Sequence, residues 1–203
     1  MLSRPGPLPS GSGWFFELKW DGFRAIVSTE DGLRVRSRRG WNMTELLPEL
    51  RDLPAGLVLD GELVAWQKSQ PYFPLVCRRV LNRDMTVPLT YVIFDVLRRD
   101  RDDLTAEPYL SRRRTLQELR LDGPSWTTSE TFEDGPALFD AVCSFGLEGV
   151  VAKRLSSRYR PNERGWIKTK NPNDWRRDSE REAIARKHTR SQLKGRWSNA
   201  ARA

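Results

Sequence analysis

Residues 17–24 read Glu17-Leu18-Lys19-Trp20-Asp21-Gly22-Phe23-Arg24, a run in which charged and apolar side chains alternate on either side of an Asp-Gly turn signal. Trp14-Phe15-Phe16 extends it upstream and FRAIVST downstream, so the run joins two β-rich segments. GLRVRS and GLVLDGELVAW follow, set apart by the turn signals DG and PAG, and together these runs predict an antiparallel meander. Further strands are expected at YVIFDVL, EGVVAKR and GWIKTK. Helices are expected at TELLPEL, at residues 111–121 with Ser111 as N-cap, and at EDGPALFDAVCSF, ended by Gly146. Strands interleaved with helices and joined by short turns indicate an α+β domain, with antiparallel sheets flanked by helices.

Charged residues recur two apart inside apolar strand-like runs: Glu17 with Lys19, Asp60 with Glu62, and Lys168 with Lys170. On a strand, i and i+2 share a face. Any one such pair is readily a half-exposed surface pair. All three, with Glu148 added, instead predict opposite charges converging on one pocket, because buried charge requires compensation. A lysine there can act as a nucleophile only when neutral, and with an ordinary pKa of about 10.4 only on the order of one molecule in two thousand is neutral at pH 7. Overcoming that costs roughly 4 kcal/mol and predicts neighbouring cations, a bound metal or partial desolvation. Arg24, Lys168 and Lys170 are the candidate cations, and such a basic pocket also suits nucleotide phosphates.

The run Lys19-Trp20-Asp21-Gly22-Phe23-Arg24 resembles the KxDGxR signature of the covalent nucleotidyltransferases, which comprise DNA ligases, RNA ligases and mRNA capping enzymes. The remaining motifs of that superfamily occur in order: SRRG at 37–40, LDGE at 59–62, YVIFD at 91–95, EGVVAKR at 148–154 and WIKTK at 166–170. WDGFR, GELVAW and EGVVAKR are most similar to the forms found in bacterial end-joining repair ligases. The resemblance implies an ATP-grasp-like DNA ligase adenylation domain that uses ATP, with Mg2+ or Mn2+, to form a covalent lysyl-AMP and then seals nicks or breaks in DNA. It assigns Lys19 as the nucleophile and Lys168 and Lys170 as the groups that grip the α-phosphate. The backbone around Glu17 and Leu18 would read the adenine edge, Arg24 and Arg38 would contact sugar and phosphate, and Phe94 would stack on the base. Glu62 would bind ribose or metal, and Glu148 metal.

Plainer readings stand beside these. Phe94 fits an ordinary strand core, Asp21-Gly22 a hairpin turn, and Arg38 with Arg39 a solvated edge. Asp60 and Asp95 are read as groups that orient neighbouring basic side chains or maintain the strand ends, not as metal ligands. Asn42 stands where an acidic residue is more usual in the family, which affects only a local contact or cap. An RNA ligase or capping-type enzyme, and a noncatalytic nucleic-acid-binding remnant, are the alternative functions. Ligases usually continue into an oligonucleotide-binding (OB) barrel, and the 33 residues after Lys170 are too few for one; the expectations left open are a core that adenylates slowly alone, one that works with a separate OB-fold or repair protein, and a fragment.

Composition agrees with this division. The expected units are a flexible segment at 1–13, a nucleotidyltransferase domain at 14–175 and a basic helical or disordered tail at 176–203. That tail carries nine Lys or Arg and three Asp or Glu, hence +6 of the chain's net +8, and is read either as a phosphate-backbone contact or as a solvated, partly disordered end. Cys77 and Cys143 sit alone in apolar runs, without CxxC or histidine partners, which predicts buried thiols and excludes a zinc site. No secretory or membrane-spanning run is present, so no membrane partner and a cytoplasmic, bacterial cytosol or nucleoid, location are expected.

Overall fold

The computed structural model describes residues 1–174. In chain order the elements are β1 (Ser3–Pro5), β2 (Trp14–Leu18), β3 (Phe23–Ser28), β4 (Arg34–Ser37), β5 (Leu57–Val64), β6 (Trp66–Gln67), β7 (Gln70–Pro71) and α1 (Phe73–Asn82). They continue with β8 (Thr90–Arg99), β9 (Asp102–Asp103), α2 (Tyr109–Glu118), β10 (Trp126–Thr128), α3 (Gly135–Ser144), β11 (Gly149–Arg154) and β12 (Trp166–Lys170).

Two sheets organise these elements. One has the order β1-β12-β11-β2 and the other β10-β8-β5-β3-β4, with β9 on β8; β6 and β7 form a small ribbon. Most pairings are antiparallel, and both β1–β12 and β10–β8 are parallel. The α+β architecture is therefore as expected, but the opening meander is not. β2 pairs with β11 in one sheet while β3 pairs with β4 and β5 in the other. Asp21-Gly22 is thus a crossing between sheets and not a hairpin turn, and Lys19 lies at the point where the chain changes sheet.

That crossing leaves no space for a side chain at Gly22, where an added Cβ would lie 2.1 Å from the Leu63 carbonyl oxygen. We expect Gly22→Ala to cost about 1–3 kcal/mol, because the obstacle is backbone and cannot rotate away. The measurement is urea denaturation: the midpoint should fall with an unchanged slope, and an unmoved midpoint would show that the crossing can shift.

Burial follows the sheets. The larger core lies on β3, β5 and β8 and includes Val27, Leu59, Leu63 and Ile93, closed over by Leu47, Leu50 and α1. A second cluster packs Leu138 and Val142 of α3 onto Phe16 and Val150. The third joins the sheets, with Phe94, Ile26 and Val58 from one and Trp166 and Val151 from the other.

Several local expectations are corrected. TELLPEL forms two 3-10 turns, Thr44–Leu46 and Pro48–Leu50, because Pro48 lacks an N–H and Leu47 leaves the helical region at φ −134°. α2 begins at Tyr109 after Pro108 and has no Ser111 cap; its first amides, those of Tyr109 and Leu110, bond instead to the carbonyls of Ser157 and Leu155. α3 is capped by Asp134, which accepts from the Ala137 N–H, and Gly146 follows with φ +62° as anticipated. α1 was not expected; Pro74 opens it and Val76, Arg79 and Val80 form its buried stripe. The supposedly flexible lead contains β1, held by β12, with Met1 buried between the sheets. Cys77 and Cys143 are half-buried. Asn42 keeps its local turn, its Oδ1 accepting from the N–H and hydroxyl of Thr44. The basic helical or disordered tail expected at 176–203 lies outside the described residues.

Candidate active site

Strand register brings the basic and acidic residues together. Leu18 is opposite Val150 and Gly149 opposite Lys170, and the Lys19 N–H bonds the Gly149 carbonyl at 2.9 Å. Glu148, immediately before β11, is thereby delivered between two lysines. Its Oε2 accepts from Lys19 Nζ, and its Oε1 lies 3.0 Å from Lys170 Nζ. Asn171 fixes this turn, its N–H on the Glu148 carbonyl and its Nδ2 on the Leu147 carbonyl, both at 3.0 Å. Lys168 faces the same space, and burial, with Lys19 and Lys170 nearby, holds its ammonium below the ordinary lysine range. Opposite charges therefore converge at Lys19, whose direct partner is Glu148, with Lys170 on the other oxygen of that carboxylate.

The other sheet contributes a second charged set. Arg24 is opposite Glu62 on β5, and Asp60 lies two residues away. Asp60 holds Arg24 by two hydrogen bonds, Nε to Oδ1 at 2.9 Å and Nη2 to Oδ2 at 2.5 Å, and also accepts from the Tyr159 hydroxyl at 2.8 Å. Asp95 likewise holds Arg112. Both aspartates therefore orient arginines, as expected. Burial pushes the Glu62 carboxyl up to about 8, against Lys19 and Arg24, with Asp60 and Glu148 adding to the rise.

A raised acid has a defined sign in folding. Below its unfolded pKa Glu62 is protonated in both states and costs nothing; as pH rises towards 8 the unfolded chain ionises first and stability falls. Glu62→Gln should remove this loss. Its stability relative to the parent should grow between pH 5 and pH 8 by on the order of 1–2 kcal/mol, the partly buried side chain being discounted for solvent. Denaturation at the two pH values checks this, and a constant difference would contradict the assigned burial.

A third set lies on the wall formed by β2 and β11. Glu17 is opposite Val151, so Lys153, two residues on, is its diagonal same-face neighbour. Lys153 Nζ lies 2.6 Å from Glu17 Oε1, which also accepts from the Tyr109 hydroxyl. Burial pushes the Glu17 carboxyl up and the Lys153 ammonium down. The backbone of Phe16 bonds outward to Phe132, and alternation turns the Leu18 N–H and C=O towards the same open edge of β2. Phe94, 8% exposed, meets Trp166 edge-on at 5.7 Å and 89°.

These sets enclose one cavity of about 530 Å3. Glu17, Leu18, Lys19, Arg24, Arg38, Glu62, Phe94 and Lys168 all line it, while Glu148 and Lys170 reach it through the ion pairs with Lys19 and each other. Arg38, Arg39 and Trp41 form an exposed rim. All ten residues singled out in the sequence thus converge. Lys153 and Trp166 also line the cavity and were not assigned roles. The signal for Lys153 was a lysine inside the apolar run VVAKR, but its partner depended on a register that sequence does not show.

The cavity gathers lysines and glutamates from both sheets around Lys19, and residues 9–170 match the family model described as ATP dependent DNA ligase domain. The chain belongs to that family. It is 36% identical over 162 residues to the SPbeta prophage-derived DNA ligase-like protein LigB of Bacillus subtilis, covering 76% of this chain and 60% of that protein. It is 38% identical over 172 residues to the multifunctional non-homologous end joining DNA repair protein LigD of Mycobacterium tuberculosis, covering 80% of this chain and 22% of that protein. The crystal structure of the ligase domain of M. tuberculosis LigD superposes with a TM-score of 0.73 at 35% identity, over 83% of this chain and 58% of that one. A mycobacterial DNA ligase D complexed with ATP and MES matches equally, with a TM-score of 0.73 at 34% identity. The chain therefore spans between 22% and 60% of the length of these relatives. An archaeal ATP-dependent RNA ligase shares the fold at 19% identity, and the likeness to the DNA ligases is the closer. Among the described residues no helix is long and apolar enough to cross a membrane.

Proposed function

We propose that this chain is the nucleotidyl-transfer core of an ATP-dependent DNA ligase, with residues 14–175 as the catalytic unit and Lys19 as the residue that accepts AMP. The observation that carries the reading is Lys19 itself, at the sheet crossing, lining the cavity with Lys168 and paired to Glu148. In the first step Lys19 Nζ, having given up its proton, attacks the α-phosphorus of ATP; the N–P bond forms as the bond to the bridging oxygen breaks, and pyrophosphate departs. Lys168 and Lys170 meet the charge that develops on the phosphoryl oxygens. Arg38 at the rim suits the outer phosphates, and Arg24, held by Asp60, presents a fixed cation to sugar and phosphate. Phe94 faces the base, and the open backbone of Leu18 with Glu17 reads its edge. AMP then passes to a DNA 5′-phosphate, and a 3′-hydroxyl displaces it.

Glu62 and Glu148 suit Mg2+ or Mn2+: two carboxylates offer hard oxygen donors, and Glu62, raised by burial with Asp60 and Glu148 adding to the rise, would be favoured in its ionised form by a cation. Bound there, the cation would offset phosphate charge. Among the described residues no group of three His, Cys, Asp or Glu is placed to hold a metal ion, so this chain would supply those two carboxylates to the cation. DNA with nicks or breaks is the proposed partner, the basic run 176–203 the proposed backbone contact, and a separate OB-fold or repair protein a proposed associate. The bacterial relatives support a setting in the bacterial cytosol or nucleoid.

The test is retention of label by the denatured protein after incubation with radiolabelled ATP or GTP and magnesium. Label from ATP is expected; label from GTP alone would place the chain with capping-type enzymes instead.

A further inference from the structure

One buried ionic cluster on the cavity wall is not used by the phosphate chemistry. Glu17 is 2% exposed and Lys153 1% exposed, and both line the cavity. Glu17 Oε1 receives two donors, the Tyr109 hydroxyl and Lys153 Nζ. Lys153 also donates to the Phe94 carbonyl at 3.0 Å, and its ammonium stands 4.5 Å from the ring centres of Phe94 and Trp166. Desolvation offsets most of the attraction in such a pair, so stability alone explains it poorly.

The cluster does fix the position of a carboxylate and give it two donors, both of which favour its accepting form. An ionised carboxylate accepts hydrogen bonds and donates none. Burial works against that form for Glu17, and Lys153 and Tyr109 work for it. The purines differ at their 6-position: adenine carries an amino donor and guanine a carbonyl acceptor. A fixed acceptor on the wall meets the first and repels the second.

We propose that Lys153 and Tyr109 are positioning residues that set the purine preference of the cavity by holding Glu17 as an acceptor for a 6-amino group. This rests on the adenylyl-transfer reading above. α,β-Methylene-ATP and α,β-methylene-GTP, which cannot undergo the transfer, are the probes, and calorimetric binding to the whole chain gives the ratio of their affinities. The parent should bind the adenine analogue more tightly. Tyr109→Phe, which keeps the ring and removes one donor, should bring the ratio about threefold to tenfold nearer to one. Glu17→Gln should erase it, because the amide can turn its NH2 to a guanine carbonyl. Lys153→Arg should keep it, and Arg38→Ala should weaken both analogues alike. A folded Tyr109→Phe protein with the parent's ratio would overturn the proposal. A parent that binds neither analogue, and takes no label from ATP, would overturn the adenylyl-transfer reading itself and the proposal with it.

Discussion

Lys19→Arg is expected to lose AMP transfer by on the order of 10^3-fold or more while the chain stays folded and continues to bind nucleotide. Arginine preserves the positive charge that pairs with Glu148 and so leaves the local electrostatics close to those of the parent. Its guanidinium stays protonated at any working pH and cannot present a lone pair to phosphorus. Removing the nucleophile of a covalent mechanism leaves only the binding groups, so the loss should appear in the rate of labelling and scarcely in nucleotide affinity. Rapid-quench labelling with ATP, set beside calorimetric binding of α,β-methylene-ATP, separates the two. Labelling of Lys19→Arg at the parent's rate would contradict the assignment.

The second large effect concerns stability. Arg112 and Asp95 have fully buried side chains and are joined by two hydrogen bonds, at 2.8 and 2.9 Å. The guanidinium also donates to the carbonyls of Glu107 and Ser157, tying α2 to β8 and to the loop ahead of Tyr159. Arg112→Met should therefore cost about 3–5 kcal/mol, since it strands a buried carboxylate and two carbonyls. Adding Asp95→Leu should recover part of that cost, because the double variant buries no unpaired charge. Denaturation midpoints of the single and double variants check both statements; a loss below about 1 kcal/mol for Arg112→Met would show that water reaches this pair.

What could be read from sequence was the chemistry, and what could not was the pairing. Glu17, Lys19, Glu62, Glu148, Lys168 and Lys170 stood out as charges in apolar runs, and the need for compensation predicted their convergence. The partner of each depended on register. Lys19 with Glu148 and Glu17 with Lys153 are contacts across β2 and β11, separated by well over a hundred residues. The sheet change at Asp21-Gly22 was hidden for the same reason, because a turn signal marks a reversal without saying which neighbour the next strand will choose. TELLPEL showed the converse failure: its apolar spacing is helical, but Pro48 removes the amide that would carry the helix through. β1 was missed because three residues in a Pro- and Gly-rich lead show no period, and only the exposed edge of β12 gives them a place.

The central claim is that Lys19 carries the nucleotide. The most direct measurement is peptide mass spectrometry of the protein after incubation with ATP and magnesium. An added AMP on the peptide containing Lys19, absent from Lys19→Arg, is the result this account predicts; an AMP adduct on any other residue, with Lys19 unmodified, would contradict it.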